Sequence, residues 1–422
     1  MTTQLVRAPE LAAPCTTTEA TALGTAAAPH LGAPWLVAAQ GAAALAASTG
    51  IGRFVYTPIL PLMHDGAGLA AASGADLATA NYVGYLLGAS LGIVLPRATR
   101  SPAVMRIAMI AMTASLALMP VLESPAWWGG LRLISGVAGA LVFVYATGAL
   151  LSRLRGSAPH LVGWGFGGIG AGIALSGLLV LVVRNVSGWQ TAWIAAALAS
   201  FVLAPAAWGL RHAEAPARNT VAVPARTPAR TRRRFVALAA SYGLEGVGYI
   251  IAGTFLVAAV GRSGPSWLGE GAWIVVGLAA IPGSALWAAL ARHWSRPTLL
   301  TLALVVQAVG LVLAGALPGA ASALVSAALF GATFVGISSL ALALGEHLQL
   351  PRAVALLTAG YGVGQIVGPL VSRPLLAGGY GPPLLLGGAV VLLAAVAGGL
   401  VRLRFPHRLG HMVEPSRLRR DV

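Results

Sequence analysis

Apolar stretches of about 18 residues or more, the length a helix needs to cross a lipid core, recur along this chain and leave little sequence for anything else. Such segments fix the solvent before they fix the fold. In hydrocarbon every backbone N–H and C=O must find a partner within the protein, so each stretch must be a helix. Broken at Pro, Gly and charges, the stretches number twelve: residues 34–62, 77–96, 103–122, 126–151, 161–183 and 189–210, then 235–260, 267–291, 298–317, 321–345, 353–376 and 382–401. Composition agrees. Of 422 residues, 57% are apolar and 9% charged, against roughly 25% charged in a soluble domain, and no soluble core hides so much apolar surface.

The charge lies between the stretches. Residues 211–234 are polar and rich in Pro, Ala and Arg, so they cannot enter lipid and read as a linker between two six-helix bundles, 34–210 and 235–401. Residues 1–33 are rich in Ala and Thr and lack a basic segment ahead of a short apolar core, which predicts a disordered tail instead of a cleaved signal. Residues 402–422 form a second, basic tail. All 27 basic residues are arginine, and with both termini placed inside, 22 fall on the inner side against three outside, Arg184, Arg262 and Arg373. Basic loops stay in the cytoplasm, and one missed span would invert every later loop. The split therefore supports an even number of spans and predicts an inner-membrane protein with cytoplasmic termini. The same scatter argues against nucleic acid as a partner, because the net charge of +16 is not gathered into a stripe.

Several chemistries find no footing. Cys15 is the only cysteine and lies in the first tail, so no disulfide, thiolate metal site or cysteine nucleophile is expected. All eight histidines, His30, His64, His160, His212, His293, His347, His407 and His411, fall in tails, loops or span ends. A polytopic membrane enzyme, which needs a nucleophile and base at depth, is thus a distant alternative, and no metal or cofactor is expected. Channels usually show rings of like charge or repeated filter loops, and neither is present.

A charge deep in a bilayer costs at least about 2.5–3.5 kcal/mol, so each one needs a reason. Arg53 in the first span, Arg132 in the fourth and Glu245 in the seventh qualify. The expectation is that all three face one shared, wettable interior. Glu245 is expected to couple protons with Arg132 beside it, or else to be a structural partner of an arginine. The arginines would hold an anionic group, tune Glu245, or donate to helix carbonyls. Tyr56, Asn81, Tyr82, Tyr85, Tyr145, Tyr242, Tyr249, Tyr361 and Gln365 cluster near these charges along the chain. With Arg53 they are candidate solute contacts, the alternative being packing or an interfacial belt.

The halves echo each other. Gly165, Phe166 and Gly167 in the fifth span match Gly360, Tyr361 and Gly362 in the eleventh, and both runs continue in glycine. These glycines are expected to be helix-packing surfaces and not a dinucleotide fingerprint, since no strand precedes them. A duplicated six-helix unit is the layout of transporters that rock one bundle against another.

Five segments carry a family likeness: residues 50–63 (GIGRFVYTPILPLM), 81–88 (NYVGYLLG), 241–255 (SYGLEGVGYIIAGTF), 331–340 (GATFVGISSL) and 361–370 (YGVGQIVGPL). In order and spacing they resemble the YbfB/YjiJ-type branch of the major facilitator superfamily over nearly the whole chain apart from the tails. Residues 132–140 (RLISGVAGA) resemble the superfamily's fourth-span pattern, in which the arginine is associated with proton coupling. Pro96 and Arg97 stand where the superfamily usually carries an Asp, and the fifth span lacks the Gly-Pro pair of antiporters. The resemblance implies an all-α membrane protein with twelve helices in two pseudo-symmetric bundles, acting as a monomeric secondary transporter. Its expected partners are a small organic solute, protons and the lipid bilayer, with efflux included. The alternative is uptake or symport of an organic anion.

Overall fold

The structure is a computed structural model and describes residues 34–154, 156–184, 186–213, 229–262, 264–265, 267–348, 350 and 352–402. The expected tail 1–33, the linker over 214–228 and the tail from 403 onward lie outside the described residues. Among the described residues twelve long helical elements follow one another, with a four-residue helix, Pro96–Thr99, linking the second to the third: α1 Pro34–Ala67, α2 Ala71–Val94, α3 Pro102–Ala117, α4 Pro125–Leu154, α5 Pro159–Val183, α6 Trp189–Ala207, α7 Ala229–Gly261, α8 Leu268–Leu290, α9 Arg296–Ala316, α10 Ala320–His347, α11 Ala353–Gly378 and α12 Gly381–Arg402. No strand occurs among the described residues. Eleven of the twelve are long and apolar enough to cross a membrane, while α3 has 16 residues and ends in a turn.

Local chemistry sets the boundaries. Pro102, Pro159 and Pro297 sit in the first turns of α3, α5 and α9, where a missing N–H costs nothing and the fixed φ suits a helix. Gly68 ends α1 at φ 64°, its N–H on the Met63 carbonyl, a left-handed cap that glycine takes without strain. Helix α7 begins six residues before the expected 235, taking in Arg230, Arg232, Arg233 and Arg234. Arginine is a good helix former, so the helix continues from lipid into water through what sequence composition reads as linker.

Within each bundle short connections reverse the chain, which gathers Arg97, Arg100 and Arg153 of the first bundle and Arg292, Arg352 and Arg402 of the second at one end, the basic end. Helices α3, α6, α9 and α12 carry exposed apolar side chains such as Ile107, Ile110, Phe201, Val202, Leu393 and Val396. An apolar exterior of this extent is a lipid surface. Exposed Trp35, Trp164, Trp267 and Trp294 lie near helix ends, the level at which tryptophan anchors a membrane protein.

The bundles α1–α6 and α7–α12 meet along two seams, α5 on α8 and α2 on α11. At the first, a methyl on Gly277 would strike the Ala174 amide and the Gly170 carbonyl, so the backbones touch directly. Away from the basic end the bundles also make polar contacts. Thr57 Oγ1 donates to the Gly253 carbonyl, and the Tyr82 hydroxyl meets Thr254 Oγ1 at 3.0 Å. Among the described residues two ion pairs cross here, one at each seam: Arg184, just after α5, to Glu270 (α8) at 2.6 Å, and Arg373 (α11) to Asp76 (α2) at 3.5 Å.

Candidate functional site

The site begins with a break in α1. Pro58 has no N–H and its ring crowds the carbonyl four residues back, so the helix cannot run regularly through Phe54. Residues Ala46–Ile51 widen into a π stretch, a turn covers 52–55, and the Thr57 N–H moves to the Phe54 carbonyl. The first span was expected as one continuous helix. The break has a structural purpose, because it leaves the Gly52 and Arg53 carbonyls without helical donors.

Arg132 of α4 takes them. Its Nη1 and Nη2 donate to the Gly52 and Arg53 carbonyls at 3.4 and 3.1 Å, and Ser135 Oγ donates to the Gly52 carbonyl at 3.1 Å. The guanidinium lies over Tyr56 and Trp193, with only Nε lacking a hydrogen bond. Asn81 of α2 donates to the Arg132 carbonyl at 2.9 Å. These groups form one network inside the first bundle.

Arg53 points the other way, into a cavity of about 160 Å³ between the bundles. Its floor holds buried Tyr242, Tyr249 and Phe334, while exposed Ser339 and half-buried Phe143, Thr147, Leu342 and Thr358 lie toward the basic end. The mouth therefore gives onto the basic end, and the contacts of Thr57, Tyr82 and Thr254 close the other side. Arg53 Nη2 donates to Gln365 Oε1 at 2.6 Å, and its guanidinium lies 4.3 Å from the Tyr85 ring centre and 5.0 Å from that of Tyr82. It is the only charged side chain lining the cavity among the described residues. Tyr242 and Tyr361 stack at 4.3 Å, and Tyr249 lies near-parallel to Tyr361 and to Phe334.

Of the residues singled out from sequence, Arg53, Tyr85, Tyr242, Tyr249, Tyr361 and Gln365 come together here. Tyr82 lies behind Arg53. Tyr56 is elsewhere, donating to the Gly74 carbonyl, as is Asn81, and Tyr145 is turned to the Leu210 carbonyl and the His212 ring. The single shared interior expected for the three buried charges is not what the structure has. Arg132 belongs to the α1 break, and Glu245 does not line the cavity.

Glu245 is fully buried within the second bundle, against Gln307 of α9 and behind the stacked Tyr242 and Tyr361. The Gln307 amide lies beside the carboxyl group without a hydrogen bond of good geometry, and neither group has another partner among the described residues. Charge alone does not single out Gln307, because the ninth span carries no ionisable residue at depth. A lone amide in the middle of that apolar stretch was the available signal. Thr147, Ser338 and Thr358, also at the cavity, gave none, since single hydroxyls are ordinary in membrane helices.

A multi-pass helical protein with a cavity between two six-helix bundles has the layout of a solute transporter. The chain belongs to the family described as "Uncharacterised MFS-type transporter YbfB", which matches residues 16–398, and so to the major facilitator superfamily of transporters rather than to the enzymes. Among solved structures it is similar to a mutant of the nucleoside transporter NupG, with a TM-score of 0.66 and 15% identity over 87% of this chain and 99% of that one. At that identity the likeness is one of fold. No curated protein matches the chain.

Proposed function

We propose that this transporter moves a small organic solute across the cytoplasmic membrane by alternating access, coupled to protons. The observation that carries the reading is the cavity, placed between the bundles, giving onto one end and shut off from the other. A carrier needs a second packing of similar energy with the openings exchanged. The backbone contact at Gly170 and Gly277 lets one bundle rock on the other without unlocking interdigitated side chains. Because basic loops stay on the cytoplasmic side, the basic end is taken as cytoplasmic, along with both termini and the 211–234 linker, and the conformation is inward-open. Each chain encloses its own cavity, which suits a monomer.

Glu245 is the coupling group in this scheme. Among the described residues Glu245 faces one amide and no cation; a buried carboxylate so placed is costly, and a proton removes the cost. Rearrangement of the stacked tyrosines would admit water and release that proton. Between efflux of a cation and symport of an anion, Arg53 favours symport, since a cationic solute would meet an uncompensated guanidinium. A thermal-shift panel on purified protein supplies the solute for the test. In proteoliposomes Glu245→Gln should keep solute exchange at equal pH and lose accumulation driven by a pH gradient. Unchanged accumulation, or loss of both activities in a folded variant, overturns the assignment.

A further inference from the structure

Resting on the reading of this cavity as the solute site, we propose that its ligand is a planar aromatic monoanion, an aromatic carboxylate by class. Arg53 and Gln365 hold its acid group and the tyrosine wall stacks on its ring. The charge argument comes first. Arg53 is 7% exposed, and no carboxylate pairs with it among the described residues. Tyr85, Tyr82 and Phe54 lie within cation–π range of the guanidinium but do not neutralise it. A buried cation so placed favours an anion that brings its own hydrogen-bond acceptors.

The donors fit that anion. A guanidinium only donates, so Gln365 must turn Oε1 toward it, which leaves Nε2 as a donor. Gln365 Nε2 and Arg53 Nε are both buried without partners. Both are shielded from the cavity in this conformation, and a small turn of the two side chains toward a bound solute would offer them to the two oxygens of one carboxylate.

The walls select the rest of the molecule. Tyr242 and Tyr361 are 11° from parallel, Tyr361 and Tyr249 16°, and Tyr249 and Phe334 9°. Rings aligned this closely favour a flat ligand that continues the stack. The volume of about 160 Å³ suits one or two rings. A saturated ring loses the stacking, an amide loses the charge-assisted bonds, and an amine is repelled by Arg53.

The test is calorimetric binding to the purified full-length protein, using benzoate, benzamide, cyclohexanecarboxylate, benzylamine and uridine as probes. Benzoate should bind about tenfold or more tighter than benzamide or cyclohexanecarboxylate, as charge-assisted bonds and stacking require. Benzylamine should not bind. Arg53→Gln should remove the preference for benzoate over benzamide, and Gln365→Leu should reduce it severalfold. The central comparison is made within the unmutated protein, so it does not depend on either variant folding. Equal binding of benzoate and benzamide, tighter binding of benzylamine or uridine, or no benzoate binding by the unmutated protein overturns the proposal. Proteoliposome counterflow separates the two readings. Benzoate that binds selectively but shows no counterflow overturns transport and supports this ligand class, whereas counterflow of uridine without benzoate binding supports transport and overturns the ligand class.

Discussion

Toward the middle of the first bundle the buried charge is cationic and tied to backbone or aimed at the cavity, whereas at the corresponding depth in the second it is the carboxyl group of Glu245, facing an amide. Arg132 donates to two carbonyls released by the α1 break, and Arg53 to Gln365 across the cavity. Glu245 has Gln307 beside it without a hydrogen bond of good geometry. The difference is one of chemistry. A guanidinium stays charged under all physiological conditions, so the first bundle presents a constant field. A carboxyl group changes charge with a single proton, so the second bundle can respond to a gradient. On this view solute recognition and energy coupling are divided between bundles, with Tyr242 and Tyr361 standing between the two.

The contrast can be broken at either side. The largest effect is expected from Glu245→Gln, with tenfold or greater loss of pH-driven accumulation while exchange at equal pH survives, measured by tracer flux in proteoliposomes. Next, Arg132→Gln should lower stability by about 2–3 kcal/mol, the cost of losing hydrogen bonds to a charged group, read as a lowered melting temperature in detergent. Solute affinity should fall with it, because the clamp on the Arg53 segment is loosened, while the pH dependence of flux is kept; a selective loss of proton coupling instead would move Arg132 from the framework to the coupling machinery. Gln307→Leu, which leaves Glu245 without its amide neighbour, should change the pH dependence of flux severalfold while sparing solute affinity.

The ion pairs far from the basic end give the smallest effects and a graded pair of tests. The Arg184–Glu270 bridge is short, and Glu270 is buried, so Glu270→Gln should measurably favour opening of that end. Asp76 and Arg373 are both about half exposed, and such a pair contributes about 0–1 kcal/mol. Asp76→Asn should therefore barely shift labelling of a Thr254→Cys reporter, while Glu270→Gln raises it. Equal effects from both would show that exposure is not what grades the two bridges.

Much of the fold was legible because lipid leaves so few choices. The runs of apolar residue fixed the helices, and interruptions by arginine fixed their connections. Boundaries were missed where one local rule outweighed composition, as with the arginines that extend α7 and with Pro58, whose absent N–H breaks a span that hydropathy reads as unbroken. At the site, Arg53, Tyr85, Tyr361 and Gln365 could be picked out because polar groups at depth are rare. Whether a buried charge faces a cavity or a neighbouring helix depends on rotation about the helix axis. Nothing in the identity of Arg132 or Glu245 reveals that the first answers a broken helix and the second an amide on α9.

The broken first helix has a mechanical consequence. Arg53 is mounted on a segment clamped to α4 through its own carbonyl and that of Gly52. On the proposed solute site, a ligand that tugs on the guanidinium would load α1 and α4 together, with little of the pull absorbed as local stretch. Straightening the segment would swing Arg53 off its bearing even with every side chain intact. In that scheme the irregular turn would serve as a stiff mount through which ligand strain passes to the whole bundle.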